Sequence, residues 1–146
     1  MTYLLDTYIL SKLRKIKQHQ NKSLERWLSK HHESQYFISV LSIGEIQSGI
    51  CKLAGKNDEL KKQKMILEDW FLGELVPRFQ GRILNIDSGT ALTWGQLIGV
   101  SKAKGTPLPV VDTLLAATAM VHQLILVTEN VKDFQHVGLQ VLNPCV

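Results

Sequence analysis

A chain of 146 residues, 45% of them hydrophobic, is long enough for one compact domain and too short for two ordinary ones. Seventeen Lys and Arg against thirteen Asp and Glu leave a formal charge of +4, a mild excess that suits a polyanionic partner and excludes the extreme basicity of a ribosomal protein. Cys51 and Cys145 belong to no CxxC or Cys/His cluster, which argues against zinc and predicts free thiols in a reducing cytoplasm, and no apolar run is long enough to span a bilayer.

The opening "MTYLLDTYIL" carries Asp6 early and lacks a basic lead and a small-residue cleavage site, so it reads as a strand rather than a signal peptide. Ile9, Leu13 and Ile16 then recur at helical spacing until the polar "KQHQNKS". "SLERWLSKHHES" predicts a second short helix, with His31 and His32 in a solvated turn, and "QYFISV" a second strand. Ser42 and Glu45 have the S-x-x-E spacing of a capping box, which predicts that a helix starts there and ends at Gly55.

From Asn57 to Phe79 the apolar positions Leu60, Leu67, Trp70, Phe71 and Leu75 describe a long amphipathic helix ended by Pro77. "RILNI" is a third strand, Asp87 an N-cap candidate, and Ala91, Trp94, Gly95 and Ile98 the stripe of the next helix. In "PVVDTLLAATAM" the stripe is Val110, Leu114, Ala117 and Val121, with Ala116 and Ala119 between, a helix expected to pack closely. "LILVT" and "LQVLNP" complete five strands. Short apolar strands alternating with helices predict an α/β fold with a parallel five-stranded sheet between two helical layers.

In such a sheet, ligands bind beyond the carboxyl ends of the strands, where the strand order reverses. Asp6 ends strand one, Glu45 lies at the start of the helix after strand two, and Asp112 lies in the first turn of the helix before strand four. Thr128, Glu129 and Asn130 end strand four, and Asp133 follows one turn later. Three carboxylates converging within about 5 Å at an effective dielectric near 20 repel by about 3 kcal/mol per pair. A raised pKa or a divalent cation offsets that repulsion, and oxygen-only ligands favour Mg²⁺ or Mn²⁺. Phosphodiester hydrolysis is the chemistry such a cation performs. Each acid also has a structural reading: Glu45 in a capping box, Asp112 on a helix dipole, Asp133 capping a short helix.

The segments "YLLDTYILSKL", "SVLSIGEIQSGI", "PVVDTLLAATAMVHQLILVTENVKDF" and the closing "VLNP" resemble, in that order, the PIN-domain ribonucleases of the VapC toxin type. The resemblance runs over nearly the whole chain and implies a single PIN-like domain over residues 1–146, a three-layer α/β/α fold with an acidic pocket for Mg²⁺ or Mn²⁺. It implies a toxin that cleaves RNA, often tRNA. Carried over by motif, the metal ligands are Asp6, Glu45 and Asp112, with Asp133 or Asn130 as a fourth polar group and Thr7 and Thr128 as supporting hydroxyls. It further implies a homodimer and a cognate antitoxin, whose tail lies in an apolar groove and which alone reads DNA. The family usually writes Asn where Tyr8 stands, and a basic residue where Glu129 stands. A catalytically weak scaffold that serves as an antitoxin-binding partner is therefore the alternative. Position 8 also removes the D-x-D of an aspartate-nucleophile phosphatase. Lys12, Arg14, Lys15, Lys17, Lys52, Lys56, Lys102 and Lys104 are candidate phosphate contacts.

Overall fold

The computed structural model describes residues 1–53, 57–135 and 137–146; the expected helix end at Gly55 and the candidate contact Lys56 lie outside them. The five strands are β1 (Tyr3–Leu5), β2 (Tyr36–Ser39), β3 (Ile83–Leu84), β4 (Ile125–Val127) and β5 (Val141–Leu142), in the order β3-β2-β1-β4-β5 and all parallel. Each is two to four residues long. The central strands are buried on both faces, so they read as unbroken apolar runs.

Period-two alternation splits those runs between two cores. Tyr3, Leu5, Tyr36, Ile38 and Val127 point to one face, where they meet Ile9, Leu10 and Leu13 of α1 (Thr7–Leu13), Leu24 of α2 (Lys22–Ser29) and Ile46 and Ile50 of α3 (Val40–Cys51). Leu4 and Leu126 point to the other, against α6 (Ser88–Ala103) and α7 (Val110–Val121). The result is the expected three-layer arrangement. Among the described residues no helix is long and apolar enough to cross a membrane, and both cysteines are free thiols.

Several local expectations are corrected. Helix α3 starts at Val40, capped by the Ser39 hydroxyl, which accepts from the Leu41 amide at 3.1 Å. Ser42 and Glu45 thus form no capping box: β2 runs straight into the helix, leaving no loop for a later start. The long helix is interrupted. After α4 (Asp58–Trp70) a π turn over Phe71–Leu75 leads into α5 (Val76–Arg78). Pro77 therefore sits inside this run; it has no amide to donate backwards, and the wider turn ahead of it absorbs the mismatch.

In α7 the buried residues are Thr113, Leu115, Ala116, Ala117, Thr118 and Ala119, while Val110 and Val121, the ends of the predicted stripe, are exposed. The alanines do what their size allows: they bring α7 close to the sheet and to α6. In α6, Thr90 and Ser101 are buried and Ala91 and Gly95 exposed, one position off the predicted stripe. His31 is not a solvated turn residue. Its ring packs edge-on to Tyr3 at 4.9 Å and beside Trp27 at 4.8 Å, with its Nε2 3.1 Å from the Tyr3 hydroxyl. Tyr36 completes this cluster and donates to the Leu28 carbonyl; burial pushes its phenol up to about 12.

The β3 edge is held by a polar clasp. Arg78 pairs with Glu33 at 2.7 and 2.9 Å, and Arg82 reaches the Glu33 carboxylate at 3.1 Å and the Tyr36 carbonyl at 2.7 Å. Hydrogen bonds from Arg78, and more weakly from Arg82, hold the Glu33 carboxyl below its ordinary value of 4.5. A lowered carboxylate stabilises the fold above that ordinary value and loses its effect as pH falls through the folded-state value. The pair is exposed, so Glu33→Gln is expected to cost below about 1 kcal/mol at pH 7, and progressively less as pH is lowered, in urea titrations. Overpacking Ala119→Leu, at the α7–sheet contact, is expected to cost about 1–3 kcal/mol at any pH by the same measurement.

Candidate active site

From the adjacent pair β1 and β4 the chain proceeds outward in opposite directions, through β2 to β3 and, on the other side, to β5. This reversal is where a parallel sheet opens a crevice at its carboxyl edge. Asp6 is the first residue beyond β1 and Thr128 the first beyond β4. The Asp6 amide donates to the Val127 carbonyl at 3.0 Å, and its Oδ1 accepts from the Ile9 amide at 2.9 Å as the N-cap of α1. Asp6 is only 7% exposed.

Glu45 lies in the second turn of α3. Starting that helix at Val40 aims Glu45 at α1, where the Thr7 hydroxyl donates to its Oε1 at 2.5 Å and lies 2.9 Å from the Ser42 hydroxyl. Ser42 is fully buried and was not foreseen as part of the site; its only signal was a polar residue one turn before Glu45. Asp112 sits half-buried in the first turn of α7 and lines a small recess with Asp133, which follows in the turn Val131–Phe134. The Asn130 amide donates to the Thr128 hydroxyl at 3.1 Å, while the Asn130 side chain is exposed at the rim.

The electrostatics tie these groups together. Burial pushes the Asp6 carboxyl above the usual range, with the charges of Asp112 and Glu129 acting the same way; the Thr128 hydroxyl and the Ile9 amide oppose this in part. Burial also pushes Asp112 up, followed by the charges of Asp133 and Glu45. Asp112 thus feels the charges of Asp133 and Glu45, and Asp6 those of Asp112 and Glu129. Asp87 does not join them: it caps α6, accepting from the Thr90 amide at 2.8 Å.

Lys12 and Glu129 form a close ion pair beside this site, with the Lys12 ammonium 3.9 Å and the Glu129 carboxylate 3.6 Å from the Cys145 sulfur. A hydrogen bond from Lys12 holds the Glu129 carboxyl low. The acid at position 129 is thus neutralised locally, and Lys12 is committed to it rather than free for a phosphate.

Hard oxygen donors that carry one another's negative charge match Mg²⁺ or Mn²⁺ better than zinc. Asp6, Asp112 and Glu45 are the residues that could hold such an ion. Among the described residues no three His, Cys, Asp or Glu side chains are grouped closely enough to hold a metal ion, so these carboxylates would have to draw together around one.

The family model of the PIN domain matches residues 3–139, and the chain belongs to the PIN-domain family. It is similar to the VapC ribonuclease Y4jK of Sinorhizobium fredii, 26% identical over 141 residues, spanning 96% of this chain and 95% of that one. Its fold matches a chain of FitAB bound to an IR36 DNA fragment with a TM-score of 0.85 and 25% identity, covering 99% and 96% of the two chains. It also matches a chain of a toxin–antitoxin complex from Klebsiella pneumoniae with a TM-score of 0.62 and 26% identity, covering 98% of each.

Removing one of several repelling acids relieves the folded state. Asp112→Asn is expected to melt above the wild-type chain in EDTA at pH 7 by scanning calorimetry. Added Mn²⁺ is expected to raise the wild-type midpoint and leave that of the variant in place.

Proposed function

We propose that the chain is a divalent-metal-dependent endoribonuclease toxin of a toxin–antitoxin pair, formed as a single PIN domain. The observation that carries this reading is that burial pushes both Asp6 and Asp112 up at one sheet edge, with the charge of Asp112 adding to the first and those of Asp133 and Glu45 to the second. The similarity to a VapC ribonuclease supplies the reaction class.

When bound, Mg²⁺ or Mn²⁺ supplies the charge that makes this cluster tolerable, polarises a phosphate oxygen and acidifies a water. The chain's own residues do the positioning. Asp6 is fixed by its capping bond from the Ile9 amide, and Glu45 is held by the Thr7 hydroxyl, which lies against that of Ser42. Asp133, exposed in the turn Val131–Phe134 beside Asp112, is the base assigned to the proton of the attacking water.

The scaffold alternative rests on Tyr8. Because the Ile9 amide already orients Asp6, a tyrosine at position 8 does not loosen that carboxylate. For partners, the groove of about 480 Å³ beside Glu45, lined by Leu41, Gly44, Gly49 and Val111, suits the tail of an antitoxin whose basic side chain enters the acidic pocket. The resemblance to toxin–antitoxin complexes supports that partner and DNA contact through it; a homodimer belongs to the same proposal.

Asp6→Asn and Asp112→Asn are each expected to lower Mg²⁺-dependent RNA cleavage by about 100-fold or more while circular dichroism stays unchanged. Wild-type cleavage in either variant overturns the assignment. Sequencing the transcripts cut after induction identifies the RNA target, tRNA or otherwise.

A further inference from the structure

Tyr8 has no role in the site described above, yet it stands two residues past Asp6 with 69% of its surface exposed. Tyr8, Ser11, Lys12 and Lys15 recur at i, i+3, i+4 and i+7, the face opposite the buried Ile9, Leu10 and Leu13. With Arg14 and Asn21 they line a recess of about 420 Å³, a volume that suits a small-molecule-sized group. No acid lines this recess. Among the described residues neither Arg14 nor Lys15 forms an ion pair, whereas Lys12 closes the recess on the side of Glu129 and so borders the acidic site.

An exposed tyrosine alone is unremarkable in a protein surface. An exposed ring that opens one wall of an acid-free cationic recess, one helical turn from a carboxylate cluster, has the two parts of a single-stranded nucleic-acid site: a stacking face and charge for the backbone. We propose that this recess holds the unpaired ribonucleotide flanking the phosphate presented to Asp6 and Asp112, its base stacked on Tyr8 and its phosphate on Lys15 and Arg14. This rests on the nuclease reading for its orientation, and it gives Tyr8 a substrate-binding role in place of the family's amide. Ser11 and Asn21 are at hand for the base edge.

The test measures fluorescence anisotropy of a labelled 12-nucleotide single-stranded RNA with the full chain in EDTA, so that binding is read without metal-dependent cleavage. Tyr8→Ala is expected to weaken binding about tenfold and Tyr8→Phe to leave it nearly unchanged, because the ring face and not the hydroxyl stacks. The same RNA with abasic sites is expected to bind both alike. Lys15→Ala is expected to lower the slope of log affinity against log salt by about one. Equal affinity of Tyr8→Ala and wild type, or no binding by wild type, overturns the proposal. Equal RNA affinity with lost capture of the antitoxin reassigns the recess to that protein and also overturns it. Cleavage assayed separately with Mg²⁺ keeps the two readings apart: a stacking effect without cleavage sinks the nuclease, and cleavage without a stacking effect sinks this subsite alone.

Discussion

The amide of Asp6 donates to the carbonyl of Val127, and through that bond the ends of two strands more than a hundred residues apart in the chain are held side by side. Every acid in the site is positioned relative to this seam. Asp6 and Thr128 leave it directly, Glu45 reaches it from the neighbouring strand's helix, and Asp112 reaches it because α7 delivers the chain into β4. A parallel sheet places all its carboxyl ends on one edge, so residues that follow different strands are neighbours there by construction.

The same arrangement creates the site's electrostatic tension. Asp6 is buried and Asp112 half-buried, so each carboxylate is deprived of water, and each also bears the charge of other acids. A fold seeking only stability gains nothing from this. The chain contains cations enough to relieve it, but Lys12 is spent on Glu129, and Arg78 and Arg82 on Glu33 at the far edge of the sheet. The charge left over is what makes a hard dication the fitting occupant, and it is the physical basis of the nuclease reading.

The neutralised Glu129 and the exposed Tyr8 both meet α1, the first through Lys12 and the second as part of the helix. Their positions leave the orientation of Asp6 untouched, since that depends on the backbone of α1 and on the Val127 carbonyl. Variation of this face alters what approaches the carboxylates without altering how they are held.

Strand runs such as "YLLD", "YFIS" and "ILV" were legible because burial on both faces demands apolar residues at every position, and Asp6 stood out as a charge at the end of one. Asp112 was legible for the same reason, as an acid in a helix otherwise built to be buried. The start of α3 was not, because Ser39 and Ser42 are both competent caps and only the length of β2 chooses between them. Nor was the partner of Glu45: Thr7 is thirty-eight residues away, and no local pattern encodes a hydroxyl that meets it across two helices. The same holds for His31 inside an aromatic cluster and for Lys12 against Glu129. The sequence by itself determined which residues are apolar, where strands and helices alternate, and which acids end an apolar run. Only the tertiary structure decided which of those acids feel one another's charge, because that depends on strand order, and strand order is set by how long-range pieces pack rather than by the residues beside each acid.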